Sequence, residues 1–464
     1  MDSWAKCVTG GLFQKCCDNE YPQSGERPER SVGVKVSWKQ FHGWRRVRMG
    51  YWLVLLGGGF VLFRADAAAP GALTQEAYIW QRAWNQPVRE ALEAHATNFA
   101  GIVALAAEVS WRGREPVVAR VALDYAALAA ARRPIGLALR VGPWEGGFSA
   151  EDPATVFLAS LAAGLVAEAK SNGLTPAELQ IDFDCAASKL DGYRAWIGAI
   201  RRKTGPTALT ITALPSWLSQ GAFAPLARAT DGYVLQAHSL ERPAGVDAPF
   251  SLCDPAAAQE AVALAGKIGA PFRVALPTYG YVVAFDKGGR FIGLSAEGPA
   301  RSWPEGAQLR EARTDPTAMA GLARTWQTNH PEAMLGIIWY RMPVAGDVLN
   351  LRWPTLAAMM AGRFPRPEVR AASRRVEAGL VEISAANTGE LDYSSRLTVE
   401  VHWQDARLVA GDGLHGFDLA DQGPSAAEFH IDAPTFRLSA GENEVIGWLR
   451  LSEEREVQLE IKQR

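Results

Sequence analysis

Residues 178–185 read Glu-Leu-Gln-Ile-Asp-Phe-Asp-Cys. Laid out as a strand, the segment sends Leu179, Ile181 and Phe183 to one face and Gln180, Asp182 and Asp184 to the other. Two carboxylates and an amide then share one side of a strand whose other side is apolar. Carboxylates two apart on a strand are roughly 6.5–7 Å apart at Cα, close enough to shift each other's ionisation and to act on one small group. An edge strand with a wet face is the other reading. Burial on both sides decides between them, and that depends on what flanks the segment.

Seven further short β-like runs surround it: 77–82, 101–111, 134–142, 208–214, 232–239, 271–280 and 334–343. Helix-like segments fall between most of them, at 88–96, 154–172, 189–204, 255–269 and 316–328. In the segment after 178–184, Leu190, Tyr193, Ile197 and Ile200 line one face, Arg201, Arg202 and Lys203 fill the last turn, and Gly205-Pro206 follows, a helix with its stop signals. An extra strand at 117–124, pairing with 108–111, and a short helix at 126–132 precede the third run. Eight strands alternating with helices over residues 70–364 predict a (β/α)₈ TIM barrel. A doubly wound open sheet is the alternative, although no Gly-rich phosphate loop follows the first strand. Residues 281–285 and 290–294 read as a hairpin inserted after the seventh strand. From 365 to 464 helix signals stop and short alternating runs appear, predicting a small all-β sandwich of immunoglobulin or fibronectin type.

The chain has 464 residues, 48% of them hydrophobic, with Lys plus Arg at 48 against Asp plus Glu at 50. That near-balance, without basic runs interleaved with aromatics in the barrel, argues against nucleic acid as a partner. Residues 51–63 (YWLVLLGGGFVLF) are apolar, preceded by Arg45, Arg46 and Arg48 and followed by Ala65-Asp66-Ala67-Ala68-Ala69. Residues 49–69 therefore read as a secretory signal peptide, or as an uncleaved membrane anchor, and 1–48 as an unstructured leader or a mis-assigned start. Export to the periplasm or beyond follows, with membrane contact only through such an anchor. Cys185 and Cys253, outside the leader, are either two free thiols or a disulfide tying the loop after the sixth strand over the pocket.

In a barrel the strand ends carry the site. Here they offer Gln81, Arg82, Glu108, Arg140, Asp182, Asp184, Gln236, His238, Tyr279, Tyr281, Trp339, Tyr340 and Arg341, a polar and aromatic pocket. Arg140 and Arg341 are either counter-ions of the Asp pair or substrate contacts. His238 is either a core histidine or a pocket residue, and Glu108 faces either solvent or the pocket. Trp144, Trp217 and Trp339 are either core or sugar-stacking surfaces, Trp339 being the best placed. No metal-ligand spacing, nucleophile elbow or cofactor motif occurs, so neither metal nor cofactor is expected.

The 178–184 strand resembles the Asp-x-Asp-x-Glu strand of glycoside hydrolase family 18, the chitinase-like barrels. Gln180, Asp182 and Asp184 stand in the three inward places, and His238 where that family has a tyrosine. The span from 77 to 363 also resembles the bacterial family called domain of unknown function 3142, through ELQIDFDC, RPIGLALRVG, LQAHSL and ALPTYGY. These resemblances imply a glycosidase-like barrel with a carbohydrate ligand. Asp184 would be the general acid, its pKa raised by Asp182 and by desolvation. Asp182 would share its proton or orient an acetamido group, Gln180 would tune the pair, and His238, Tyr279 and Arg341 would position the sugar. A non-catalytic carbohydrate-binding barrel and a structural protein with a vestigial pocket are the other two readings.

Overall fold

The protein is described by a computed structural model over residues 73–463, apart from 240–241, 297–301 and 434–435. The leader at 1–48 and the signal or anchor at 49–69 lie outside the described residues. Strands β1 (Thr74–Ile79), β2 (Gly101–Arg112), β4 (Ile135–Val141), β5 (Glu178–Asp182), β6 (Ala208–Ala213), β7 (Gly232–Gln236), β8 (Phe272–Pro277) and β12 (Met334–Tyr340) form one parallel sheet. Its first and last members, β1 and β2, pair with each other. The sheet is therefore a closed barrel, which removes the open doubly wound alternative.

The barrel strands are joined by α1 (Gln86–His95), α2 (Tyr125–Ala130), α3 (Pro153–Ser171), α4 (Leu190–Thr204), α5 (Phe223–Arg228), α6 (Pro255–Ile268) and α7 (Pro316–Thr328), and α8 (Trp353–Met360) follows β12. Helices α3, α6 and α7 begin with the same device. Asp152, Asp254 and Asp315 accept backbone N–H bonds with their side chains, and a proline occupies the first helical position, where its missing N–H costs nothing. Helix α4 buries Leu190, Tyr193, Trp196, Ile197 and Ile200 and stops at Gly205, whose φ of 65° favours glycine,. Helix α3 is long and apolar enough to cross a bilayer, yet it buries Leu158, Ala162, Leu165 and Val166 against the barrel as a core helix does.

Each barrel strand is divided by its two faces. Leu179, Ile181 and Phe183, with their counterparts Leu137, Leu139, Leu209, Ile211, Tyr233 and Leu235, pack outward into the helix layer. The lumen has its own small cluster, with Tyr78, Val103, Ala138, Val234, Ala275 and Ile338. At the N-terminal end of the lumen, Arg273 Nη2 donates to both Glu178 oxygens at 2.8 and 2.7 Å, Arg273 Nη1 pairs with Glu76, and Thr210 donates to Glu178. The three side chains are only 12–14% exposed, and an arginine between two carboxylates is what makes such charges tolerable at that depth.

Strand β3 (Glu115–Arg120) runs antiparallel to the second half of β2, the expected extra hairpin. After β8 the chain forms β9 (Gly280–Phe285), β10 (Phe291–Ser295) and β11 (Gln308–Arg313), a separate sheet in the order β10-β9-β11. The hairpin is as expected; its third strand, Gln-Leu-Arg-Glu-Ala-Arg, lacks an apolar stripe and gives no strand signal. The C-terminal strands are β13 (Val369–Glu377), β14 (Leu380–Asn387), β15 (Leu397–His402), β16 (Leu408–Gly413), β17 (Asp418–Asp421), β18 (Ala426–Ile431), β19 (Asn443–Leu451) and β20 (Gln458–Gln463). They make two antiparallel four-stranded sheets, β13-β14-β19-β16 and β17-β18-β15-β20. Alternate residues such as Ile383, Val399, Phe429 and Leu449 fill the core between them.

Candidate active site

Asp182 and Asp184 come off the C-terminal end of β5, and both reach a narrow pit at that end of the barrel. Water centres have about 40 Å³ of room in it, space for ordered water or one small substituent. Tyr78, Trp80 and Tyr340 form one wall, their rings meeting edge to face at centroid distances of 5.2–5.7 Å. Arg140, Thr212, Gln236 and His238 complete the polar side.

The two carboxylates differ in their partners. Asp182 is 9% exposed. Its Oδ1 accepts from Thr212 Oγ1 at 2.7 Å and from Gln236 Nε2 at 3.5 Å, while its Oδ2 faces Arg140 Nε at 3.8 Å. Asp184 accepts from Gln236 Nε2 at 3.1 Å through Oδ1. Burial raises the pKa of both. For Asp184 burial and then the Asp182 charge push it up to about 7, whereas Arg140 and Thr212 oppose the rise at Asp182. Asp184 is therefore the carboxyl that keeps a proton near neutral pH.

Arg140 is held in a chain of charges, its Nη1 pairing with Glu108 Oε1 at 3.3 Å while Arg82 also grips Glu108. Arg140 stands between Glu108 and Asp182 as an ion-pair partner of both, and Glu108, 14% exposed, does not itself line the pit. Gln180 is fully buried one layer below, its Oε1 accepting from the Tyr78 hydroxyl at 2.6 Å. His238 lines the pit, bonds Tyr279 Oη through Nδ1 at 3.2 Å and stacks on Tyr340 with 22° between planes. Burial lowers its pKa to about 4, so it is neutral at pH 7. Tyr279 stands behind His238, and Arg341 Nη2 pairs with Asp347 Oδ2 at 3.1 Å beside the mouth; neither lines the pit.

Two expectations are corrected. Trp339 is no sugar platform: it has no exposed surface, lies in the layer facing the helices and donates Nε1 to Gln75 at 2.7 Å. Its neighbour Tyr340 takes the lumen side. Cys185 and Cys253 are free thiols, each buried in the barrel's outer core. Trp144 and Trp217 are core residues as well. Tyr78, Trp80 and Thr212 were not among the candidates, and their signal was position on the lumen phase of β1 and β6.

The match of residues 106–345 to a family profile covers half of the chain. The chain belongs to the family described as domain of unknown function DUF3142. This DUF3142 match contains β5, β7 and every pit residue except Tyr78 and Trp80. No curated protein matches the sequence. Among solved structures, the barrel is similar to the spore cortex-lytic enzyme SleL of Bacillus cereus, at 13% identity and a TM-score of 0.45, over 64% of this chain and 75% of that one. It is also similar to a chitinase from Chromobacterium violaceum, at 14% identity and a TM-score of 0.43, over 63% of this chain and 98% of that one. A chitinase from Bacteroides thetaiotaomicron has 14% identity and a TM-score of 0.43, over 58% of this chain and 89% of that one.

Among the described residues, Glu400, His402 and Glu460 bring donor atoms close enough to hold a metal ion. They sit on β15 and β20 of the sandwich, where Lys462 already pairs with Glu400. The pit itself offers two carboxyl groups and an amide in mutual contact, groups able to hold and transfer a proton,.

Proposed function

We propose that this DUF3142 protein is an exported glycoside hydrolase acting on a cell-envelope or environmental polysaccharide, with Asp184 as general acid and Asp182 as its ionised partner. The observation that carries the reading is the asymmetric pair itself: two carboxyls in one pit, one held by a cation and a hydroxyl, the other lacking both and pushed up toward neutral by burial and by its neighbour's charge. Glycosidic cleavage needs that division of roles. Asp184 gives its proton to the leaving oxygen as the C–O bond breaks and the bonding electrons go to that oxygen. The positive charge growing on the sugar carbon faces the Asp182 carboxylate, and a water completes the reaction, returning a proton to Asp184. The aromatic wall of Trp80 and Tyr340 offers the apolar surface on which a sugar ring stacks,. Arg140, Gln236 and His238 surround the reacting centre, Gln180 supports it from below, and Tyr279 and Arg341 hold the walls. The Arg-flanked apolar segment at 49–69 supports export, and residues 365–464 are read as an immunoglobulin- or fibronectin-like accessory module.

The pit's small free volume favours a second reading, a barrel that binds carbohydrate without turning it over. Incubation with N-acetylated and other β-linked oligosaccharides, followed by product analysis, separates the two. Products formed by the wild type and lost in Asp184→Asn support the hydrolase; equal rates in both remove Asp184 from the mechanism; glycan-array binding without products selects the second reading.

A further inference from the structure

Gln236 reaches from β7 between the two carboxylates, its Nε2 3.1 Å from Asp184 Oδ1 and 3.5 Å from Asp182 Oδ1. Only the NH₂ end of the amide fits there, since its oxygen would meet two acceptors. We propose that Gln236 is the positioning residue of this pair: by holding Oδ1 of both carboxylates it fixes the pair's single proton on Oδ2 of Asp184.

The other groups around the pair agree with that placement. On Asp182, Oδ1 accepts from Thr212 and Gln236, and Oδ2 faces the Arg140 guanidinium as an ion pair at 3.8 Å. A proton on Asp182 would give up the attraction of that guanidinium, whose ion pair is with Asp182 rather than Asp184,. On Asp184, Oδ1 already accepts from Gln236, and among the described residues no donor reaches Oδ2. The proton therefore takes the vacant oxygen, the one left to meet a ligand. Other charged or titratable neighbours do not compete for it. Glu108 is occupied by Arg82 and Arg140, His238 is neutral and turned to Tyr279, and Tyr193 and Cys185, which feel the Asp184 charge from the helix side, are themselves held neutral by burial. A donor shared by two carboxylates also favours their ionised forms, so removing it moves the Asp184 midpoint upward.

The inference rests on the acid role of Asp184 for its use in catalysis, yet its test requires no turnover. A neutron structure of the wild-type protein near pD 6 is expected to show one deuteron on Asp184 Oδ2 and none on Asp182; a deuteron on Asp182, or on Asp184 Oδ1, overturns the proposal. In Gln236→Met, which keeps the side-chain length and removes the donor, the carboxyl ¹³C titration of Asp184 is expected to move up by about one pH unit. A packing role alone would lower the melting temperature and leave that midpoint in place, and an unmoved midpoint overturns the proposal. If the variant does not fold, the wild-type deuteron position decides. A deuteron on Oδ2 in a protein that cleaves no glycan would retain this proposal while removing the hydrolase reading.

Discussion

The Tyr78 hydroxyl donates to Gln180 Oε1 at 2.6 Å and so joins β1 to β5 across the lumen, directly beneath Asp182. Both residues are at most 2% exposed, and Gln180 Nε2 has no partner among the described residues. Tyr78→Phe takes away the acceptor's donor without opening a large cavity. It is expected to destabilise the barrel by about 1–3 kcal/mol, the cost of an unpaired buried polar group. The double variant Tyr78→Phe/Gln180→Met, with both polar groups gone, is expected to recover part of the loss. Urea unfolding with an unchanged slope checks both; a single variant as stable as the wild type would show that the bond contributes nothing.

Asp184 links function to stability with a definite sign. Its folded pKa is raised to about 7, above the ordinary carboxylate value of about 3.9. Between those values the folded protein holds a proton that the unfolded chain has released. Stability therefore falls as pH rises from about 4 to 7, then stays low. Asp184→Asn has no proton to lose. The variant's advantage over the wild type is expected to grow across that window and to reach on the order of 2 kcal/mol by pH 8, allowing for the carboxyl's partial exposure. Thermal melts at pH 5 and pH 8 decide: the same difference at both values would mean that Asp184 is not ionising with a raised pKa.

How far the sequence could be read follows from the two-faced burial of barrel strands. In 178–184 the polar residues fall strictly on one phase, so the lumen side of β5 was legible, and with it Gln180, Asp182 and Asp184. On β12 both phases are apolar: Ile337 and Trp339 face the helices, Ile338 and Tyr340 the lumen. A strand buried on both sides carries no period-2 signal, and Trp339 was assigned to the wrong side. Tyr78 and Trp80, on the lumen side of Ala-Tyr-Ile-Trp, were missed for the same reason. Thr212 has nothing in its local sequence to mark it; only the closeness of β6 to β5 makes it a partner of Asp182. Strand β13 is missed because Ser373, Arg374 and Arg375 leave most of it exposed.

The thiols give a check on the loop between β7 and α6, which carries Cys253. Cys185 and Cys253 are 4% and 6% exposed, and burial pushes both thiols up to about 12. Neither is then a thiolate at pH 8, and only the thiolate reacts readily. Maleimide added to the folded protein is expected to leave both unlabelled over the time that exposed thiols need. In denaturant without reductant both should label fully, as peptide mapping would show. Failure to label under those conditions would mean a Cys185–Cys253 bridge and would contradict the two free thiols.

Adjacent aromatics on β12 should respond in opposite ways. Trp339 is enclosed and hydrogen-bonded to Gln75. Trp339→Phe loses that bond and some packing, and is expected to cost about 1–3 kcal/mol of stability while leaving carbohydrate affinity within about twofold. Tyr340 is partly open, stacks on His238 and walls the pit. Tyr340→Ala is expected to weaken binding of whichever oligosaccharide the wild type retains by about tenfold, since a stacking surface contributes on the order of 1.4 kcal/mol. Calorimetric titration together with unfolding curves separates the two effects. If Trp339→Phe weakens binding as much as Tyr340→Ala does, affinity depends on the barrel wall as a whole, and the aromatic face of the pit is not where the sugar rests.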